Sequence, residues 1–204
     1  MEGVMSWNER FAGADYVYGK APADFVARQA WRVAPGSKLL SVAEGEGRNG
    51  TYLASLGVQV TALEGAANAR RKATALAAER GVPLEIVPAD LRGFDWPEAE
   101  YDAVLACFIQ FADPAFRAEI FDGIAKALKP GGIALIHGFA RRQPRYGTGG
   151  PGNVEQLYDL DLLRDAFPRW EVLHQADYDG ELDEGEGHSG PAALVDFVAR
   201  KPVR

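Results

Sequence analysis

The sequence predicts an α/β fold: a Rossmann-like, doubly wound sheet of seven mostly parallel strands with one antiparallel strand near the C-terminus. Three observations support this fold. Short apolar runs alternate with helical segments, the last two runs have no helix between them, and a Gly-rich turn follows the first run. With 204 residues, 47% of them hydrophobic, we expect one domain over residues 1–204, with 1–20 as a candidate lid.

Seven short runs, rich in leucine or β-branched residues, have the composition of buried strands. They are residues 38–43, 58–63, 84–87, 103–107, 133–139, 170–178 and 192–199. The last two are not separated by a crossover helix, so they must pair antiparallel or lie apart.

The segments between these runs carry helix signals. Pro22 is expected at the first position of one helix, and the Ala-rich residues 66–80 form another that Gly81 ends. A third helix is predicted over 114–128, and a fourth over 154–167. The acidic, Gly-rich residues 179–190 are predicted to be a loop.

Charge and cysteine content narrow the classes of partner. The chain has 22 Lys and Arg against 29 Asp and Glu, a net charge of −7, which disfavours nucleic acid and anionic membranes and favours a small-molecule substrate. Cys107 is the single cysteine, no apolar run reaches about 20 residues, and the start has no apolar signal core. We therefore expect a cytoplasmic monomer or homodimer.

The Gly-rich turn predicts a nucleoside site. Residues 45–50 match G-x-G-x-x-G between a strand and a helix, and Glu64 ends the next strand, where a carboxylate can accept hydrogen bonds from a ribose. Glu44 and Glu46 flank the turn. Each would cost a nearby pyrophosphate about 0.7 kcal/mol at about 6 Å even in water, whereas the sulfonium of S-adenosylmethionine would be attracted.

Three functions follow from such a turn. An S-adenosylmethionine-dependent methyltransferase agrees best with the acidic flanks. A nicotinamide-dependent oxidoreductase would require a turn that tolerates phosphate. A noncatalytic, regulatory S-adenosylmethionine-binding protein is the third alternative.

Short motifs follow one another along most of the chain. They are WNER at 7–10, YVYG at 16–19, EGEGRN at 44–49, DL at 90–91, LKPGG at 128–132, GTGGP at 147–151, and EG at 184–185 with His188 and Gly190. As an ordered set they resemble the class I S-adenosylmethionine-dependent methyltransferases, within them the tellurite-resistance and thiopurine methyltransferase-like group. The resemblance implies S-adenosylmethionine as the cofactor.

The resemblance also implies which residues bind the cofactor. Glu64 would bind the ribose, Asp90 would meet the adenine amino group, and Leu91 would lie beside the adenine ring. The full implied set is Tyr18, Glu44, Gly45, Glu46, Gly47, Arg48, Asn49, Glu64, Gly65, Asp90, Leu91, Cys107 and Phe108.

Two segments depart from the family pattern. The family usually has Asp-Leu-Gly-Cys before the turn, where this chain has Ser41-Val42-Ala43-Glu44. Glu44 therefore replaces a small residue that would lie against the methionine part of the cofactor. The family usually has Val-Asp where this chain has Leu63-Glu64, which keeps a carboxylate with a longer reach.

The acceptor is expected beyond the carboxyl ends of the strands, where ligands bind in open α/β sheets. We predict in-line methyl transfer to a small nucleophile: a thiol, a chalcogen oxyanion or a similar group. Positioning can supply most of the acceleration, with effective molarities of about 10⁵ M or more. The predicted acceptor pocket consists of Gln110, Phe139, Arg141, Tyr146 and Glu186.

His188 is the first candidate for a general base, because it lies in a predicted ligand-side loop and imidazole titrates near neutral pH. His137 falls inside a strand and is predicted to be structural. His174 is unassigned, since no acidic cluster lies beside it in sequence. Histidines and acids do not fall at metal-ligand spacing, so no metal is expected. The aromatic residues within 7–18 form a lid or pack on the sheet.

Overall fold

The structure is a computed structural model that describes residues 4–203. Seven strands form a sheet of order β3-β2-β1-β4-β5-β7-β6. The strands are β1 (Lys38–Val42), β2 (Gln59–Glu64), β3 (Glu85–Pro88), β4 (Tyr101–Cys107), β5 (Leu128–Phe139), β6 (Glu171–Asp183) and β7 (Ser189–Arg200). The helices are α1 (Val4–Arg10), α2 (Asp24–Gln29), α3 (Arg48–Ser55), α4 (Ala67–Arg80), α5 (Pro114–Ala127) and α6 (Leu160–Ala166).

The predicted fold class is confirmed. Strands β1, β2 and β3 pair in parallel, as do β4 and β5, whereas β7 runs antiparallel to both β5 and β6. Only one strand is therefore reversed, as the missing crossover helix before it predicts.

The described residues form two compact units. One consists of the described residues up to Phe94 together with Glu184–Gly187, and the other of Asp95–Asp183 with the described residues from His188 onwards. A single domain over 1–204 stays a prediction. Residues 1–3 of the candidate lid, and residue 204, lie outside the described part of the chain.

The first unit contains β1 to β3 and helices α1 to α4. Its N-terminal segment packs closely: Phe11 is 4% exposed and clusters with Ala66 and Ala69, while the Trp7 ring stacks on Phe11 at 5.8 Å between centroids. Tyr16 also donates its hydroxyl hydrogen to the Lys72 carbonyl at 2.9 Å. These aromatic residues therefore pack at α4, and their role as a lid stays a prediction.

A strained residue connects β1 to the Gly-rich turn. Ala43 has φ of 49°, in the left-handed region that costs a residue with a Cβ roughly 1–2 kcal/mol. We predict that Ala43→Gly raises the free energy of unfolding in urea by about 0.5–1 kcal/mol, since glycine adopts this conformation without that cost. Ala75→Gly, on the exposed side of α4, is the control and should lower it by about 1 kcal/mol. Equal losses of unfolding free energy in the two variants would show that Ala43 is not strained.

The second unit contains β4 to β7 with helices α5 and α6. Apolar side chains of these helices meet the sheet: the Phe167 ring, directly after α6, lies 6.2 Å from Phe197 of β7 and 5.4 Å from Phe121 of α5. Cys107, His137 and Asp196 occupy matching register positions on β4, β5 and β7. Because paired residues point to the same face of a sheet, these three polar side chains share one face.

Three local predictions are wrong. The helix predicted over 154–167 is a 3₁₀ turn at Val154–Gln156 followed by α6, because the Asp159 carboxylate caps α6 by accepting from the Leu162 amide at 2.7 Å. The loop predicted over 179–190 is mostly β6 and β7, which pair as far as Asp183↔Ser189. Pro22 precedes Ala23, the N-cap of α2, rather than opening the helix.

Candidate active site

The Gly-rich turn lies directly before α3, as predicted. Gly47 is the N-cap of α3 with φ of 90°, and a Cβ there would come within 2.8 Å of Ala73 on α4. The close packing against Ala73 therefore requires glycine at position 47. A Cβ at Gly45, by contrast, would meet only the Phe11 ring, at 3.9 Å. The open side of Gly45 leaves room for a ligand to approach the backbone, which fits the implied cofactor.

Glu44 does not present a free carboxylate to a ligand. It is buried, and its oxygens accept hydrogen bonds from the Ser41 hydroxyl and from the Gly50 amide, the latter at 2.7 Å. Ser41 and Glu44 are both departures from the family pattern, and each is the other's partner. Glu44 therefore joins the end of β1 to the first turn of α3.

Burial raises the pKa of Glu44 above its ordinary value of 4.5, although the two hydrogen bonds oppose this. The folded state thus holds the proton more tightly than the unfolded chain does. The contribution of this group to stability is complete below the ordinary pKa and is lost as pH rises through the raised one.

We predict that Glu44→Gln makes the decline in stability with rising pH shallower, because the amide can accept from Gly50 and donate to Ser41 without titrating. Urea unfolding from about pH 4 to about pH 8 measures this. Glu79→Gln, at an exposed ion pair with Lys20, should retain the full decline. An unchanged curve for Glu44→Gln would contradict the prediction.

The other charges of the turn are paired within the protein. The Lys72 ammonium lies 2.7 Å from the Glu46 carboxylate, and the Arg48 guanidinium lies 2.8 Å from the Glu184 carboxylate. All four side chains are nearly buried, at 2% to 8% exposed. The expectation that Glu44 and Glu46 would attract a cationic ligand is therefore not supported by their geometry.

Glu64 ends β2 and bridges two backbone amides. Its carboxylate accepts from Gly45 at 2.8 Å and from Ala66 at 2.7 Å, and burial raises its pKa above the ordinary value. A carboxylate has about four lone-pair sites, so two remain for the hydroxyls of a ribose. This arrangement fits the predicted ribose-binding role.

The remaining implied cofactor residues of the first unit differ in their surroundings. Asn49 is buried, and its side-chain oxygen accepts from the Ala23 amide at 2.9 Å. Asp90 is exposed and accepts from the Arg92 amide at 3.0 Å, while Leu91 is 8% exposed. Tyr18 lies edge-on to Phe11 at 6.2 Å, and the Gly65 carbonyl accepts from Arg70.

In the second unit, the structure brings together three residues predicted for the cofactor or the acceptor. The Phe108 ring lies 4.2 Å from the His188 ring and 4.9 Å from the Phe139 ring, between centroids. Phe108 has φ of 56°, a strained conformation of the kind that clusters at functional sites. Leu182 and Leu194 join Phe139 in the same apolar cluster. Cys107, the last residue of β4, is half-buried.

The other predicted acceptor residues differ in their surroundings, and of them Gln110 contacts this cluster. Arg141 is exposed and pairs with Asp159 at 2.5 Å, while Glu186 is exposed. The Tyr146 side chain hydrogen-bonds to Asp179. The Gln110 amide is buried and bonds both backbone groups of Phe139, at 2.8 and 2.6 Å. Gln110 therefore braces β5.

A buried network that sequence reasoning missed lies on one face of the second unit. The Asp196 carboxylate accepts from Nδ1 of His137 at 2.7 Å and from the Tyr178 hydroxyl at 3.2 Å, and Nε2 of His174 lies 3.4 Å away. His174 thus has an acid beside it, contrary to expectation. The available signal was an Asp inside an otherwise apolar strand.

Comparison with known families agrees with this geometry. Residues 39–132 match the family model described as a methyltransferase domain. Over these residues the chain is therefore similar to methyltransferase domains. The match supports the predicted methyltransferase class with S-adenosylmethionine as its implied cofactor, and the solved structures confirm the fold that the family resemblance implies. No match is found among curated proteins.

Three solved structures share the fold of this methyltransferase. TehB from Haemophilus influenzae has a TM-score of 0.72 and 22% identity over 86% of this chain, which spans only 61% of TehB. A protein of echinomycin biosynthesis, associated with the conversion of a disulfide bond into a thioacetal group, has a TM-score of 0.74 and 20% identity over 99% of this chain and 91% of that one. A methyltransferase from Methanosarcina mazei has a TM-score of 0.71 and 16% identity over 90% and 100%.

Among residues 4–203, no helix combines the length and apolar character required to cross a membrane. Within the same part of the chain, no three His, Cys, Asp or Glu side chains are grouped as a metal site would require.

Proposed function

We propose that this methyltransferase acts on a small-molecule nucleophile, with a thiol as the favoured acceptor. When bound, the cofactor supplies a methyl group activated on a sulfonium. The turn at 45–49 and the Glu64 carboxylate would hold the cofactor. The observation that carries the choice of acceptor is the cluster of Phe108, Phe139 and His188 at the carboxyl end of β4 and β5.

The chemistry of this cluster favours a neutral acceptor with an apolar body. Its walls are aromatic and aliphatic, whereas two arginines that follow β5 and could bind an oxyanion are engaged: Arg141 pairs with Asp159, and Arg142 pairs with Asp177 and Asp179. The structurally similar protein of echinomycin biosynthesis acts on a disulfide, which also supports a sulfur-containing substrate.

His188 supports the proposal as the residue that would accept the proton of a thiol. Its ring is 6% exposed and packs edge-on against Phe139 at 5.3 Å, so an acceptor there would be shielded from water. An apolar wall orients the acceptor, and orientation supplies much of the rate in displacement reactions. The net charge of −7 agrees with a small-molecule partner rather than nucleic acid. A cytoplasmic monomer or homodimer stays a prediction.

A methyl-transfer screen with S-adenosylmethionine tests the proposal. The acceptors are aromatic and aliphatic thiols, selenite, tellurite, halides and small amines, and we expect methylated product chiefly from aromatic thiols. His188→Gln should lower kcat most between the ordinary pKa of imidazole and that of the thiol, where the thiol is protonated and a neutral imidazole can accept its proton. His174→Gln is the matched control and should leave kcat unchanged. Product from tellurite or selenite alone would overturn the thiol assignment.

A further inference from the structure

The tip of the hairpin between β6 and β7 packs against the N-terminal segment of the first unit. The tip is Glu184–Gly187, which belongs to that unit. The Gly187 amide donates to the Val17 carbonyl at 2.9 Å. A Cβ at Gly185 would come within 2.6 Å of the Gly19 nitrogen and of the Val17 oxygen. The backbone contact is therefore so close that position 185 requires glycine.

This contact places the Glu184 side chain beside the Gly-rich turn. Glu184 is 9% exposed, and one of its oxygens lies 2.8 Å from the Arg48 guanidinium. The other oxygen accepts from the Asp24 amide at 3.4 Å, and Arg48 donates a second hydrogen bond to the Tyr18 carbonyl at 3.2 Å. Glu184 is thus the carboxylate that neutralises the buried cation of the turn.

Neutralisation of Arg48 matters because the expected ligand is itself positively charged. S-adenosylmethionine carries one more positive charge than its product S-adenosylhomocysteine, because methyl transfer converts a sulfonium into a neutral thioether. An unpaired guanidinium in a buried turn would repel the cation, since charges interact strongly where water is excluded. Of the acids that flank the turn, Glu46 is already paired with Lys72, and burial raises the pKa of Glu44 and so favours its neutral form.

We propose that Glu184 is a positioning residue for the cofactor, which acts through Arg48 by cancelling its charge so that the turn accepts the sulfonium. This inference rests on the proposed placement of the cofactor at the turn. It goes beyond the family motif, because it assigns a cofactor-side role to a residue 136 positions from its partner.

Calorimetry measures the Kd of both nucleosides and shows whether Glu184 affects binding through its charge or through the shape of the turn. We expect Glu184→Gln, which keeps a hydrogen-bonding group toward Arg48, to raise the Kd of S-adenosylmethionine about tenfold more than that of S-adenosylhomocysteine. Arg48→Gln combined with Glu184→Gln should return the ratio of the two Kd values to that of the unaltered protein. Glu79→Gln, at the exposed ion pair with Lys20, should change neither Kd.

Each other outcome is decisive. Equal weakening of both nucleosides by Glu184→Gln would mean that the ion pair only maintains the shape of the turn, which overturns the proposal. Unchanged Kd values would overturn it as well, provided that Glu64→Ala still weakens binding. If Glu64→Ala is also without effect, the placement of the cofactor itself is wrong. Thermal unfolding without nucleoside confirms that each variant is folded.

Discussion

Glu64→Ala is expected to lower the affinity for S-adenosylhomocysteine by about 100-fold or more. The carboxylate would accept two hydroxyl hydrogen bonds from the ribose, and hydrogen bonds to a charged group contribute about 1.5–3 kcal/mol each. The same carboxylate bonds the Gly45 and Ala66 amides, so its loss also frees the turn. Since about 1.4 kcal/mol corresponds to a factor of ten, the loss is readily measured by calorimetry.

The matched control for this variant is Glu85→Ala. Glu85 begins β3 in the same unit, is exposed, and accepts only a surface hydrogen bond from Thr61 at 2.8 Å. Its removal should leave nucleoside affinity unchanged. If Glu64→Ala is folded and binds S-adenosylhomocysteine as tightly as the control does, the ribose is not held by this carboxylate.

Asp196→Ala should lower the free energy of unfolding by about 3 kcal/mol. The carboxylate is 2% exposed and accepts hydrogen bonds from the His137 and Tyr178 side chains. Its removal therefore takes an acceptor away from these polar groups. Asp196→Asn keeps one oxygen acceptor and should cost less. For a chain of this size, about 3 kcal/mol corresponds to a fall in Tm of about 6–12 °C.

Asp177→Ala provides the comparison, because Asp177 lies on the neighbouring strand β6 and pairs with Arg142 near the surface. That substitution should cost less than about 1 kcal/mol, as surface ion pairs do. Similar small losses from both substitutions would show that the network around Asp196 contributes no more than a surface pair.

Periodicity and composition were sufficient for most of the sheet. The apolar runs at 38–43 and 133–139 became β1 and β5, and the absence of a crossover helix predicted the antiparallel β7. Local signals failed where a tertiary contact overrode them. The acidic, Gly-rich composition of residues 179–190 predicted a solvated loop, but pairing with β7 extends β6 to Asp183.

In the candidate site, too, some features were predictable from the sequence and others depend on tertiary contacts. Gly45, Gly47 and Glu64 were predicted from spacing alone, because a nucleoside turn requires small residues after one strand and an acid at the end of the next. The charge of the turn could not be read from the same stretch. Glu46 and Arg48 are adjacent to the turn in sequence, but the side chains that neutralise them, Lys72 and Glu184, lie elsewhere in the chain.

The sequence by itself determined the order of strands and helices along the chain and the position of the Gly-rich turn. These depend on short-range patterns: the alternation of apolar residues, the conformational freedom of glycine and the spacing of motifs. Only the tertiary structure decided which charges are cancelled and which acids remain available. Ion pairing depends on distances of a few ångströms, and only folding brings residue 184 to residue 48 and residue 196 to residue 137, which are far apart in the sequence.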